Sequence, residues 1–331
     1  MAGITHLGWG VALALGWLTW TGAAVEPILG AAAAAAQEGE DSQEIANPNW
    51  QTPLPNPTTP GDEVSSPADP GGTQAGSSMG GDSGATPMTF QQWCEAQDRL
   101  TEEQRHTVEV LLTELGVDNC IRAGRRASVI RLLNLSHQEL TDITPLASWP
   151  RLTDLLLHNN AIQDLRPLAE MPNLARLYLS NNQITDLTPL ASLGQIQVLG
   201  LANNPLDSLQ GLESLTSLDE LHLSQAQLQS LDPLASLTNL TTLYLSQNQI
   251  ADLTPLSSLA ALEVLDLSSN QIEDITPLMA LDRLRSLNLN RNRIENTSVL
   301  RSMPNLEQVY LYNNPVNRLG CPTNVNALCF I

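Results

Sequence analysis

The chain has 331 residues, of which 42% are hydrophobic but only 4% aromatic, and its 15 basic residues, all arginine, face 35 acidic ones for a formal charge of −20. Such an acidic surface disfavours nucleic acid and anionic lipid, both of which require a basic face. No P-loop, GxSxG, HExxH or EF-hand pattern is present, so the commonest catalytic and metal signatures are also missing.

Residues 1–36 contain an uncharged apolar run from Leu7 to Ala24, followed by small-residue sites at Gly22-Ala23-Ala24 and Ala34-Ala35-Ala36. This reads as a secretory signal with cleavage near 24 or 36. An uncleaved anchor is the rival reading, because the run approaches the ~20 residues of a membrane span and residues 1–24 hold no arginine or lysine. Residues 37–88 are rich in Pro, Gly, Ser and Thr, with acidic residues and no basic one, a composition too poor in apolar surface to fold. They read as a disordered linker, either a tether or a solubilising tail.

Residues 89–129 change character again. Thr89 with Gln92, and Thr101 with Gln104, have the spacing of capping boxes, and the second predicted helix runs to about Leu115 with Gly116 as its stop. Val108, Leu111, Leu112 and Leu115 form its apolar face. The four cysteines, Cys94, Cys120, Cys321 and Cys329, allow three disulfide pairings, of which locality favours Cys94–Cys120 and Cys321–Cys329. Zinc is the alternative, but no CxxC occurs and no histidine flanks either pair closely.

From residue 130 the chain repeats itself every 22 residues. The unit starts fall at Ile130, Leu152, Leu174, Ile196, Leu218, Leu240, Leu262, Leu284 and Leu306 without one insertion or deletion. Each unit reads LxxLxLxxNxI, then a turn and a second apolar half. The LxL alternation has the period of a strand with one face in a core. Asparagine stands at Asn160, Asn182, Asn204, Asn248, Asn270, Asn292 and Asn314, where a stacked ladder of side-chain amides can satisfy backbone groups that a strand leaves unpaired. On the return leg, Thr144-Pro145, Thr188-Pro189, Thr254-Pro255, Thr276-Pro277 and Asp232-Pro233 place an N-cap residue before a proline, opening a short helical turn. Ala226 interrupts the ladder and Gly211 replaces the proline, so asparagine at 226 is expected to stabilise by about 1 kcal/mol.

These units resemble the internalin-like, 22-residue leucine-rich repeats of bacterial secreted and surface proteins, over residues 130–316. The resemblance implies an α/β solenoid, a leucine-rich repeat horseshoe or arc with a parallel concave β-sheet of nine strands. Residues 89–129 then form a helical N-terminal cap stapled by a disulfide, and residues 317–331 a C-terminal cysteine loop.

Catalysis has thin support. The five histidines share no ligand spacing, and His222 and Asp266 fall about 9.6 Å apart on alternate strands, too far for a direct hydrogen bond. No enzyme activity, cofactor or metal is expected. Recognition fits better. The outward strand positions carry Leu156, Arg176, Tyr178, Val198, Glu220, His222, Tyr244, Asp266 and Tyr310, with Tyr312 beside them, so that all four tyrosines of the chain fall on one face. Tyrosine is amphipathic and loses little entropy on binding. Gly200 is expected to leave a dip between Tyr178 and Tyr244. A basic cluster, Arg283, Arg285, Arg291, Arg293 and Arg301, marks the end of the repeats and either is simply solvated or makes the concave face dipolar. The sequence thus points to an exported, non-catalytic protein, secreted or held in the envelope or periplasm, that binds a protein or peptide partner, with a glycan as a further option and no nucleic acid. A structural envelope protein without a discrete ligand is the alternative.

Overall fold

The computed structural model describes residues 88–316 and 328–330, all within one compact unit, Met79–Ile331. The signal or anchor segment, the linker up to residue 87, and Cys321 with most of the expected C-terminal loop lie outside the described residues.

Three helices precede the repeats: α1 (Phe90–Glu95), α2 (Glu102–Leu115) and α3 (Cys120–Ala127). Both capping boxes form, Thr89 with Gln92 and Thr101 with Gln104, and α2 stops at Gly116, whose φ of 61° suits a residue without Cβ. Helix α3 was not foreseen, although Asn119 signals it by accepting from the Ile121 and Arg122 backbone amides. Gly124 lets α3 approach α1, since a Cβ there would lie 2.8 Å from Gln91 Cβ. The Cys94–Cys120 disulfide joins the same two helices. On the repeat side, Phe90 packs on Trp149 with ring centroids 5.3 Å apart, Thr107 Oγ1 donates to Asp142 O at 2.6 Å and His106 Nε2 to Gln138 O at 2.7 Å.

The repeats build one parallel sheet in sequential order: β1 (Leu132–Asn134), β2 (Asp154–Leu156), β3 (Arg176–Tyr178), β4 (Val198–Gly200), β5 (Glu220–His222), β6 (Thr242–Tyr244), β7 (Val264–Asp266), β8 (Ser286–Asn288), β9 (Gln308–Tyr310) and β10 (Leu328–Phe330). The sheet therefore has ten strands where the repeat pattern predicts nine. β10 pairs with β9 at an offset of twenty residues, Cys329 against Val309, and so falls outside the 22-residue count. Cys329 is disulfide-bonded; its expected partner, Cys321, is not among the described residues. The central leucine of strands β2 to β8, such as Leu155, Leu177, Leu199, Leu221 and Leu243, is fully buried, as are the return-leg leucines that meet it. Each contributes roughly 1.5–3 kcal/mol by leaving water.

Leucines alone would leave buried peptide groups unpaired where the chain turns out of the sheet. Asparagine supplies their partners. Asn182 Oδ1 accepts from Ile162 N at 3.0 Å, while its Nδ2 donates to Leu157 O and Leu179 O at 3.0 and 2.9 Å. Asn204, Asn270 and Asn292 repeat the arrangement one unit at a time. Each amide thus bonds its own unit and the one before it.

The return legs are short 3-10 segments, among them Thr144–Ser148, Thr188–Ser192, Thr254–Ser258 and Thr276–Ala280. The expectation that threonine caps them is corrected by the structure. Threonine is the first residue of each segment, and the capping acceptor is the aspartate two residues before it: Asp142, Asp186, Asp252 and Asp274 accept from the threonine amides at 2.8–2.9 Å. Bonds from the threonine hydroxyls, and then from the amides, hold the Asp252 and Asp274 carboxyls below the ordinary carboxylate range. Their stabilisation is present above the unfolded-state pKa and is lost as pH falls through the lower folded value.

One region departs from the pattern as a block. Where asparagine is replaced, by Gln138 and Ala226, the following residue takes a left-handed backbone, Glu139 at φ 55° and Gln227 at φ 59°, in addition to the left-handed residue just before it that every turn has. That rotation presents the Gln138 and Ala226 amides to the asparagine of the next unit, at 3.1 Å to Asn160 Oδ1 and 3.0 Å to Asn248 Oδ1. In the preceding unit, Leu206 N, which an asparagine at 226 would accept from, already donates to Asn204 O at 2.9 Å. Pro205 lacks the amide that Gln183, Gln249 and Gln271 use to bond the unit before them. Gly211 completes the detour at φ 102°, with Leu187 O only 2.6 Å from where a Cβ would stand. The turn is repacked around a buried Ala226, which gives a physical reason to expect asparagine there to destabilise and not to stabilise.

Two outcomes are expected. Reducing the Cys94–Cys120 bridge lowers stability by roughly 2–4 kcal/mol, read by denaturant unfolding with and without reductant; an unchanged midpoint contradicts the bridging role. Ala226→Asn alone destabilises by about 1–2 kcal/mol, because the new carbonyl finds its donor taken, and adding Pro205→Gln recovers part of the loss through a coupling on the order of 1 kcal/mol. A stabilising single variant would show that the turn reverts unaided.

Candidate functional site: the outward face of the sheet

Strict register stacks the outward side chains in two rows. One runs Asp154, Arg176, Val198, Glu220, Thr242, Val264, Ser286, Gln308; the other runs Asn134, Leu156, Tyr178, Gly200, His222, Tyr244, Asp266, Asn288, Tyr310. The fold therefore brings Leu156, Arg176, Tyr178, Val198, Glu220, His222, Tyr244 and Asp266 together on six neighbouring strands, β2 to β7. Tyr310 lies three strands beyond Tyr244. Tyr312 stands outside both rows in the turn after β9, 56% exposed, with its amide donating to Asn290 Oδ1.

Within the patch the side chains are organised by direct contacts. Arg176 pairs across strands with the buried Asp154. His222 Nε2 lies 2.6 Å from Glu220 Oε1 on its own strand, and its ring stacks on Tyr244 at 4.7 Å with an interplanar angle of 21°. Gly200 does not open the expected dip. It is buried, and the Tyr178 ring lies so close that a Cβ on residue 200 would stand 3.3 Å from Tyr178 Cδ1. Burial, followed by the nearby Glu220 carboxylate, raises the pKa of both the Tyr178 and Tyr244 phenols; Asp154 adds to the first and Asp266 to the second, while Arg176 opposes at Tyr178. Glu220 itself is held below the usual carboxylate range by its bond to His222.

At the far end, Tyr310 stacks on Phe330 at 4.7 Å and 9°. Phe330 and Leu328, 46% and 61% exposed, extend the face onto β10. Sequence reasoning missed both, although the short apolar run Leu328, Cys329 and Phe330 is consistent with a strand. The arginine cluster lies off both rows: Arg283 and Arg285 precede β8, Arg291 and Arg293 follow it, and Arg301 sits in the Ser298–Ser302 segment. Arg285 pairs with Glu307 at 2.8 Å and Arg293 with Glu273 at 3.9 Å. These arginines stand beside the sheet, outside both rows. An open depression of about 300 Å³ lies at the strand entries, lined by Arg131, Arg151, Thr153, Asn173, Ala175, Gln195 and Gln197, outside the tyrosine patch. Among the described residues no group of three or more His, Cys, Asp or Glu is placed to hold a metal, and no helix is long and apolar enough to cross a membrane.

Comparison with known proteins places this architecture. The family model for Leucine Rich repeats (2 copies) matches residues 150–192, 238–278 and 282–324. A crystal structure of an internalin (inlF) from Listeria monocytogenes is 31% identical, covers 60% of this chain and 60% of its own, and superposes with a TM-score of 0.58. An internalin C2 (inlC2) from the same organism is 30% identical over 68% of this chain and 91% of its own, with a TM-score of 0.53. The plant peptide hormone receptor RGFR1 in complex with RGF2, 22% identical over 56% of this chain and 32% of its own with a TM-score of 0.50, shares the fold alone. This chain spans 60% of the inlF structure's length. No curated protein matches at the sequence level. The chain belongs to the internalin-like leucine-rich repeat family.

The electrostatics of the patch are open to direct test. Glu220→Gln removes a carboxylate that disfavours both phenolates, so the Tyr178 and Tyr244 pKa values are expected to fall together while staying above the ordinary tyrosine value through burial. Titration of the tyrosine Cζ NMR signals reads this; values unmoved by the substitution contradict the placement of Glu220 beside both rings.

Proposed function

We propose that the chain is an exported, non-catalytic recognition protein that binds a partner protein on the outward, concave face of its sheet, centred on Tyr178, His222 and Tyr244. The carrying observation is the half-buried aromatic and aliphatic patch on β2–β7, whose rings are already fixed by neighbours, Tyr178 on Gly200 and Tyr244 on His222. Rings immobilised before binding lose little entropy on complex formation, and binding energy concentrates in such aromatic anchors. Export is supported by the Cys94–Cys120 disulfide and the oxidised Cys329, which persist in oxidising compartments. Within the patch the hydrogen bond between His222 and Glu220 is internal to one strand, and a hydroxyl–imidazole contact on this side of the sheet, Ser136 Oγ to His158 Nδ1 at 2.9 Å, lies outside it, past the ends of β1 and β2.

With a native partner in hand, Tyr178→Ala and Tyr244→Ala are each expected to weaken binding by ~2 kcal/mol. Gln229→Ala, at an exposed position away from the sheet face, is expected to leave it unchanged. Calorimetric titration of the three variants decides the matter. Equal affinities throughout would move the site elsewhere.

A further inference from the structure

The strip from β5 to β7 has a chemical character narrower than general protein binding. The His222 and Tyr244 rings stack across neighbouring strands at 4.7 Å, close to the ~4.8 Å strand spacing, so their planes stand across the strand-to-strand direction. One face of Tyr244 is therefore occupied by His222, and the other looks toward β7, where its register partner is Asp266. Asp266 uses one oxygen to accept from the Ser268 amide at 2.8 Å. Asp266 is partly exposed, and its carboxylate accepts no further hydrogen bond among the described residues. The Glu220 carboxylate lies near enough to act on the Tyr244 phenol from the other side.

The charge around this ring is one-sided. No arginine or lysine occurs between Leu177 and Asp282. The nearest cations bordering the sheet face, Arg176 and Arg285, are paired with Asp154 and Glu307. Glu220 is engaged by His222 at 2.6 Å, whereas Asp266 has no cationic partner among the described residues, and Asp219 and Glu263 stand at the adjoining strand entries. A planar aromatic face backed by a carboxylate in a negative field fits a flat cation that stacks and donates in one plane.

We propose that the free face of Tyr244, with Asp266 behind it and Glu220 beside it, seats an arginine side chain of the partner protein. The guanidinium lies parallel to the Tyr244 ring, extending the His222–Tyr244 stack by one layer, and donates to Asp266 Oδ2. Arginine is favoured over lysine because a point charge on a flexible stem gains neither the stacking nor the planar fork. The seat rests on the reading of this face as the recognition surface and gives that partner its chemistry: a basic protein surface presenting an exposed arginine.

The test uses the full chain and three small probes, the N-acetyl methylamides of arginine, lysine and citrulline, followed by NMR at the Tyr244 ring and the Val264 methyls. Arginine is expected to shift these signals saturably. Citrulline, nearly isosteric but neutral, is expected to bind roughly tenfold more weakly, and lysine several-fold more weakly. Asp266→Asn is expected to abolish most of the arginine preference over citrulline while the spectrum of the folded chain is retained. Equal binding of arginine and citrulline, shifts centred away from Tyr244, or no saturable shift with any probe each overturn the seat. If the probes fail while Tyr244→Ala still weakens partner binding, the recognition surface stands and only its arginine chemistry is wrong.

Discussion

The order of the sheet face depends on how the chain is turned out of the sheet once per unit, and in seven of the nine units that turn is held by an asparagine amide. A side chain with two donors and an acceptor satisfies a carbonyl of its own unit, a carbonyl of the previous unit and an amide of the previous unit. Leucine burial supplies most of the free energy but is non-directional and would tolerate slippage between units. The amide fixes the stagger. Because the stagger is constant, outward residues 22 positions apart in sequence become neighbours in a row.

That strictness explains how a region with almost no reactive chemistry acquires a function. Glu220, His222, Tyr244 and Asp266 are unremarkable as separate residues. Held at strand spacing they become a stacked ring pair flanked by carboxylates, with the Tyr178 ring settled on Gly200 one step away. The irregular stretch from Pro205 to Ala226 belongs to the two units that supply β4 and β5 to the same patch. Pro205, Gly211 and Ala226 are bound together by complementary losses: an amide that proline removes, a left-handed glycine, and an asparagine that has no donor to meet. The sheet register passes through this region unbroken, so the detour is absorbed by the turns and return legs.

The repeat period, the buried leucines, the ladder and both capping boxes were legible in the sequence because each is a local pattern with one physical reading. What was not legible depended on neighbours. Aspartate at Asp142, Asp186, Asp252 and Asp274 takes the cap from threonine because its carboxylate reaches the amide two residues on, a competition that a Thr-Pro signature does not display. Strand β10 was hidden because its register is set by pairing with β9 and departs from the 22-residue count. On the face, the tyrosine rows could be read from spacing alone. The closure of the gap at Gly200 could not, since it depends on the direction in which the Tyr178 ring leans.

The central claim is that recognition occurs on the sheet face around β6. The most direct measurement places the photo-crosslinker benzoylphenylalanine, one site at a time, at Thr242 on that face and at Gln229 away from it, in the full chain expressed in its native host. A discrete crosslinked adduct from position 242 and none from position 229 is the predicted result. Adducts from 229 alone, or the same adducts from both positions, would contradict it.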